Sequence, residues 1–283
     1  MAKIETEKTK LHNGVIIPKI GYRVDKDHPE QIYENVLKAL RAGFRHIDLP
    51  CDSESEKLVG KALKDSGIPR YEIFLTVKLD NNNHGYDAAL RAFSNSLKRI
   101  GTDYADLYLI NWPNPVKYRK DYEKVSADTW RALETMYKNG TAHSIGLANY
   151  EARHMEFVLE NSEISPMANQ ARIYPGFPFE DNLNCADEHK IQSIAFLPPN
   201  YESIVYSKEV KIFAEKYNVE PWEICVRYQL QKGCLALCQE GNEEILNQLN
   251  HVFDFEISKD DMKFMNHMKN YGPLNINPDT CDF

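Results

Sequence analysis

The chain has 283 residues, of which 42% are hydrophobic and 11% aromatic. This is enough apolar material for one large α/β barrel or two ordinary domains, and it excludes a largely disordered chain. The net charge of -8 is spread over interspersed acids and bases. The sequence therefore offers neither a basic stripe for nucleic acid nor a polybasic patch for a membrane.

The N-terminus and the cysteines point to a cytoplasmic protein. The first eight residues are charged and lack the apolar core of a signal peptide, and no apolar run approaches the roughly 18 residues of a membrane span. The six cysteines form neither a CxxC pair nor a compact framework, which favours reduced thiols. Isolated pairs such as Cys234 with Cys238 are weak evidence for a metal, and no metal site is predicted.

The first predicted elements are a hairpin and a strand–helix unit. The segment 11–18 reads as the hairpin, and its Asn13-Gly14 predicts a type I′ turn. A core strand follows, and apolar residues four apart then predict a helix over 30–42 that ends at Gly43. The next strand places the carboxylate of Asp48 at its end.

That unit recurs along the chain. A strand over 74–78 ends in Lys78, and a strand over 104–110 is followed by Asn111. Strand and helix alternate about eight times with short connections, which indicates a parallel sheet. About eight such units predict a closed (β/α)8 barrel with an N-terminal β-hairpin across its bottom, in one domain over residues 1–283. An open doubly wound sheet is the alternative, weakened because no G-x-G-x-x-G follows the first strand.

Polar or aromatic side chains lie at the ends of seven predicted strands. Because strand ends on one face of a barrel converge, they predict a single pocket. They are Asp48, Lys78, Asn111, Asn149, Gln170, Phe196 and Gln239.

Several segments carry a resemblance to the aldo/keto reductases. They include LHNGVIIPKIG, AGFRHIDLP, SGIPRYEIFLTVKL, RIGTDYADLYLINWP, IGLANY, ANQARIYP and VFDFEIS, with the ending PDTCDF. Together they cover nearly the whole chain in the family's order. The resemblance implies a barrel that reduces small carbonyl compounds with a hydride from NADPH.

The family's four catalytic residues are an Asp, a Tyr acid, a Lys that lowers the pKa of the Tyr, and usually a His. By resemblance, Asp48 and Lys78 match the Asp and the Lys, whereas Ser53 stands at the Tyr and Asn111 at the His. An alcohol is a far poorer acid than a phenol, so we expect impaired or absent reduction. Tyr22 or Tyr174 could substitute for the missing acid. Without any acid, Asp48 and Lys78 would persist as a buried ion pair that holds two strands.

The resemblance also assigns the cofactor contacts. Asn149, Gln170 and Phe196 match the residues that hold and stack on the nicotinamide. At the 2′-phosphate end, cationic residues of the family are replaced by Gln239-Glu240 and Glu244. A carboxylate there disfavours NADPH and can accept a hydrogen bond from a ribose 2′-OH, which would favour NADH. The alternative for both acids is a solvated helix start favoured by the dipole.

Three departures lie around the same pocket. The family's Gly-Thr after the first strand reads Arg23-Val24, the loop after Phe196 is short, and Asp80 stands where a pocket Trp is usual. Two hypotheses follow: a family member impaired as a reductase that persists as a binding or regulatory protein, or an active oxidoreductase with another proton donor and NADH preference. By resemblance the expected cofactor is NADP or NAD, whose binding the first hypothesis weakens or abolishes, and a monomer is favoured over a larger assembly.

Overall fold

The computed structural model describes residues 3–273 and 276–282. Eight parallel strands close into a barrel in chain order, and the last strand pairs with the first. The predicted (β/α)8 fold is confirmed. The barrel strands β1 to β8 are Ile20–Arg23, His46–Asp48, Phe74–Leu79, Leu107–Ile110, Ile145–Ala148, Ala168–Arg172, Gln192–Phe196 and Leu235–Cys238.

Helices cover the outside of the barrel. One helix follows each of β1 to β6: α1 Pro29–Arg41, α2 Ser53–Asp65, α3 Tyr86–Ile100, α4 Tyr122–Lys138, α5 Ala152–Glu160 and α6 Glu180–Glu188. Between β7 and β8 lie α7 Tyr201–Val205, α8 Lys208–Tyr217 and α9 Pro221–Gln231, and after β8 come α10 Glu243–Gln248 and α11 Lys259–Asn266. Shorter helical turns occur at Lys3–Thr6, Arg70–Glu72, Asn81–Asn83, Val116–Asp121 and Leu249–Phe253.

Helix α1 shows why these segments fold as they do. Its apolar residues Ile32, Val36 and Leu40 recur every four positions and are buried against the barrel. Burying each of them stabilises the fold by about 1.5–3 kcal/mol. Gly43, with φ +100°, follows the helix in the left-handed region that only glycine adopts readily, and the chain turns there into β2.

The N-terminal hairpin pairs Lys8–Lys10 with Ile16–Pro18 and closes the bottom of the barrel. The predicted type I′ turn is wrong, because it needs positive φ at both central residues and here Gly14, but not Asn13, has one. Five residues connect the strands instead. The Asn13 amide donates to the His143 carbonyl at 3.0 Å, just before β5, which fixes the hairpin at the N-terminal ends of the strands.

The barrel interior below the site is tightly packed around His46. A Cβ on Gly21 would lie 2.5 Å from His46 Nδ1, so β1 needs a glycine opposite this ring. His46 Nε2 lies 2.9 Å from Thr76 Oγ1. Burial lowers the pKa of His46 to about 4, so the ring is neutral at physiological pH.

Within residues 3–273 and 276–282, no helix is both long and apolar enough to cross a bilayer. In the same ranges no three His, Cys, Asp or Glu side chains are grouped as metal ligands would be. The six cysteines are free thiols, and Cys51 alone among them is partly exposed. Phe283, the last residue of the family-like ending, lies outside the described residues.

Candidate active site

The carboxyl ends of the barrel strands open into one cavity of about 1120 Å³. All seven strand-end residues named from the sequence line it, so the barrel brings them together as expected. Ser53, Glu240 and Glu244 are not among the described residues that line it.

Asp48 and Lys78 form a buried ion pair at the floor of the cavity. Lys78 Nζ lies 2.6 Å from Asp48 Oδ1 and donates a second hydrogen bond to the Leu49 carbonyl at 2.7 Å. The Gln170 amide also donates to Asp48 Oδ1, at 2.9 Å. Burial lowers the pKa of Lys78, the Asp48 carboxylate opposes that shift, and the nearby Arg23 cation adds to it. The ion pair links β2 to β3, and the Lys78 ammonium has two hydrogen-bond acceptors, the Asp48 carboxylate and the Leu49 carbonyl.

The position that matches the family's tyrosine does not face the pair. Ser53 is the first residue of α2 and is exposed, because Asp52 caps the helix by accepting a hydrogen bond from the Ser55 amide at 2.8 Å. Cys51, two residues before Ser53, lines the cavity instead. Burial raises the pKa of the Cys51 thiol to about 11.

Asn111 lies at the end of β4 beside that thiol. Its amide donates to Cys51 Sγ at 3.4 Å and to Asn81 Oδ1 at 3.5 Å. Its backbone carbonyl accepts a hydrogen bond from the Asn149 amide at 2.9 Å. Asn149 itself has φ +63°, a left-handed conformation that asparagine tolerates better than most residues.

Arg23, at the end of β1, reaches across the cavity floor. Its Cζ lies 4.6 Å from the centroid of the Phe196 ring, and its Nη1 donates to Gln239 Oε1 at 2.6 Å. Its Nε is 4.0 Å from Asp48 Oδ2. The guanidinium therefore stacks on the aromatic face that the family resemblance gives to the nicotinamide.

Neither tyrosine named as a substitute acid reaches the site. Tyr22 is buried and packs edge-on against Phe44, and burial raises its pKa. The Tyr174 hydroxyl donates to Asn270 Oδ1 at 3.1 Å. Neither belongs to the described residues that line the cavity, so both suggestions are wrong.

The acidic residues after β8 take part in local turns. Glu240 Oε1 accepts a hydrogen bond from the Asn242 amide at 2.9 Å, and Asn242 in turn caps α10 through the Glu244 amide. Glu244 is exposed in the first turn of that helix. These are the contacts of a solvated helix start, the alternative that the sequence left open for both acids.

In this arrangement, two side chains at the nicotinamide end of the site contact other groups of the protein. Arg23 covers the Phe196 ring, and the Gln170 amide is used on Asp48. Glu240 and Glu244, which the resemblance places at the 2′-phosphate end, are not among the described residues that line the cavity. A nicotinamide that stacks on Phe196 would have to displace the guanidinium.

The comparisons with known proteins agree with this architecture. Residues 19–198 match the model of the aldo/keto reductase family. The chain is 34% identical to glyoxal reductase of Bacillus subtilis (strain 168), with 98% of each chain covered. It superposes with TM-score 0.88 on MGS-M4, an aldo-keto reductase from a deep-sea metagenome, at 31% identity over 98% of this chain and 100% of the other. A Bombyx mori aldo-keto reductase solved with NADP gives TM-score 0.82 at 26% identity, covering 92% and 91%.

The protein is a (β/α)8 barrel with a buried Asp–Lys ion pair at the carboxyl ends of its strands. The chain belongs to the aldo/keto reductase family.

Sequence reasoning missed two side chains that shape the mouth. Cys51 was not singled out, because the family pattern drew attention to a position two residues later. Arg23 was noted as a departure, but its contact with Phe196 joins residues far apart in sequence. The available signal was a long cationic side chain at a position where the family resemblance gives glycine.

Proposed function

We propose that this chain is an aldo/keto reductase family protein in which NADP(H)-linked reduction of carbonyl compounds is impaired, and whose barrel mouth serves as a small-molecule pocket. The observation that supports it is the environment of Lys78. Its ammonium donates to Asp48 and to the Leu49 carbonyl, and among the described residues no tyrosine hydroxyl is hydrogen-bonded to it.

The lack of a tyrosine hydroxyl hydrogen-bonded to Lys78 among the described residues matters because carbonyl reduction needs a proton donor. A bound dihydronicotinamide supplies a hydride, and the alkoxide that results needs a proton from a positioned donor. Ser53 is exposed on α2 and Asn111 offers an amide, which is not an acid at neutral pH. Loss of a general acid lowers the rate by about 10²–10⁴-fold.

The test is a titration of the purified chain with NADPH and with NADH, followed by turnover measurements on small aldehydes, including glyoxal. Bacillus subtilis glyoxal reductase, measured in parallel, is the control. We expect turnover at least about 100-fold below that of the control, as the loss of a general acid predicts. Turnover within about tenfold of the control would overturn the proposal.

A second candidate is an active oxidoreductase with a replaced proton donor. Cys51 favours it, because its thiol lines the cavity beside Asn111 and its pKa of about 11 is close to that of a phenol. Under this candidate Cys51→Ala abolishes turnover, whereas the exposed Ser53→Ala leaves it unchanged. A preference for NADH would add a role for Glu240 or Glu244. Equal residual turnover in both variants would reject Cys51 as the donor.

We further propose that residues 1–283 form one domain that acts as a monomer in the cytoplasm. Light scattering coupled to size-exclusion chromatography tests the oligomeric state, and a dimer mass at micromolar concentration would contradict it.

A further inference from the structure

We infer that the outer edge of the N-terminal hairpin binds an extended, acidic segment of a partner protein, which adds to the hairpin as a third, antiparallel strand. The hairpin lies at the bottom of the barrel, at the opposite end from the mouth. The inference is therefore independent of the proposed function, and its failure would leave that proposal unchanged.

The strand Lys8–Lys10 is paired along only one of its two edges. Its pairing with the other strand of the hairpin is antiparallel, and Leu11 N–H, just beyond it, donates to the Val15 carbonyl at 2.9 Å. Because hydrogen-bonded pairs alternate along an antiparallel ladder, Lys8 and Lys10 direct their N–H and C=O groups outwards. Among residues 3–273 and 276–282 these outward groups have no hydrogen-bond partner. An unpaired edge of this kind is a template for another strand.

A groove lies beside this edge, and we call it the bottom groove. It consists of two adjoining cavities of about 670 and 250 Å³, which share Gln192, Gln231 and Gly233 in their walls. The hairpin contributes Lys10 to one cavity and Thr9 to the other. The apolar residues that line the groove are Leu11, Leu183, Ile191, Leu230, Leu235 and Phe253. An added strand therefore has apolar surface to contact on the side that faces the barrel.

Side chains alternate between the two faces of the hairpin. Leu11 and Ile17 are buried against the barrel, whereas Lys8, Lys10 and Ile16 are exposed on the other face. A third strand follows the same period of two. Its residues opposite the two lysines lie beside ammonium groups, and the residues between them face the bottom groove. The partner sequence that fits alternates acidic with apolar side chains.

The charges of the bottom groove favour an acidic partner in a chain whose net charge is -8. The cationic residues that line it are Lys10, Lys19, Lys190, Arg227 and Lys232, and the acidic ones are Glu180 and Asp187. Glu180 lies 3.6 Å from Lys232, and Lys19 pairs with Glu7 at 2.9 Å. In the part of the chain that the structure describes, Lys10, Lys190 and Arg227 have no carboxylate partner. Glu188, next to Asp187, is exposed and does not line the groove.

A second copy of this chain does not fit the same edge. Antiparallel pairing of two such edges about a two-fold axis would set the lysines of one copy opposite the lysines of the other. Like charges directly opposite each other destabilise a sheet. Lys8 and Lys10 therefore oppose self-association and favour a strand of opposite charge.

The test is calorimetric titration of the full chain with the acetylated and amidated peptide Glu-Val-Glu-Val-Glu-Val-Glu. We expect saturable binding with a Kd below about 1 mM. Lys10→Glu should weaken binding by about 3–30-fold, because an opposite charge across the two strands becomes a like charge. Lys124→Glu is the matched control, because Lys124 is exposed on α4 and does not line the groove.

Methylation of the peptide backbone separates strand addition from charge attraction. In antiparallel addition the glutamates opposite Lys8 and Lys10 direct their N–H groups to the hairpin, and the valine N–H groups point away. N-methylation of the glutamates should therefore abolish binding, whereas N-methylation of the valines should leave it nearly unchanged. Equal binding of the two methylated peptides would overturn the inference.

Two further results would also overturn it. One is the absence of binding between the wild-type chain and the alternating peptide at about 1 mM. The other is binding of heptaglutamate as tight as that of the alternating peptide, because the groove would then attract any polyanion, a nucleic acid included, without adding a strand.

Discussion

The guanidinium of Arg23 lies over the ring of Phe196, with 4.6 Å between Cζ and the ring centroid. The topology explains the contact, because β8 pairs with β1 on one side and with β7 on the other. Side chains at the ends of β1 and β7 therefore meet across the end of β8, where Gln239 accepts a hydrogen bond from the same guanidinium. Any planar ligand that stacks on Phe196 has to displace this group.

Replacing Arg23 should therefore improve nicotinamide binding. In Arg23→Ala the Phe196 face is uncovered, and we expect up to about a tenfold gain in NADPH affinity, since an aromatic stacking contact contributes about 0.5–1.5 kcal/mol. Fluorescence titration of NADPH measures it. Arg131 is exposed on α4, pairs with Asp128 and is not among the described residues that line the cavity, so Arg131→Ala should bind NADPH as the wild type does. An unchanged affinity in Arg23→Ala would show that the cover is not what limits binding.

Removal of Lys78 should destabilise the barrel. In Lys78→Met the fully buried Asp48 carboxylate loses its partner, which costs about 3–5 kcal/mol. Urea denaturation followed by circular dichroism measures the loss. The double variant Asp48→Asn with Lys78→Met removes both charges and should recover much of the stability. Equal stability of the single and double variants would contradict the assignment of Asp48 and Lys78 as a coupled pair.

The Cys51 thiol should react slowly despite its partial exposure. Its pKa is raised to about 11 by burial, so little thiolate forms at neutral pH. We expect iodoacetamide to alkylate it roughly 100-fold more slowly than a free thiol of pKa about 8.5 at pH 7.5. The rate should keep rising up to about pH 11. Mass spectrometry identifies the modified peptide, and Cys51→Ser supplies the control. Alkylation at the rate of free cysteine at pH 7.5 would contradict the burial of this group.

Acid should destabilise the fold through His46. Its folded pKa of about 4 lies below the ordinary value of 6.5, so the unfolded chain binds the proton more readily. The stability that this histidine contributes is complete above pH 6.5 and is lost as the pH falls towards 4, by about 3 kcal/mol for a shift of this size. Urea denaturation at several pH values should show a shallower dependence in His46→Gln. The mostly exposed His28 gives the matched control, and His28→Gln should keep the wild-type slope.

The barrel could be predicted because its signals are local and repeated. Gly43 and Gly101 both follow helices with positive φ, as the sequence indicated, and the strands end in the polar groups that line the cavity. The Asp48–Lys78 pair also follows from topology, since neighbouring parallel strands place their ends side by side.

What could not be predicted depends on side-chain direction and on contacts between distant residues. The family resemblance placed Ser53 at the acid position, but the cap at Asp52 starts the helix there, and Cys51 lines the cavity. The prediction of a type I′ turn at Asn13 did not include the hydrogen bond from the Asn13 side chain to the His143 carbonyl, which is distant in sequence. Arg23 contacts Phe196 because β1 and β7 both adjoin β8. This strand order cannot be read from a single sequence.

The hydrogen bonds of Lys78 also bear on how this family diverges. Because Lys78 and Asp48 hold β2 to β3 at the floor of the cavity, the fold requires both residues whether or not they take part in turnover. The presence of the pair is therefore explained by structure alone and is not by itself evidence of catalysis. Replacing either residue alone leaves an unpaired charge in the barrel, which is strongly destabilising. Substitutions that change ligand binding are therefore tolerated more easily in the loops and at the strand ends around the pair.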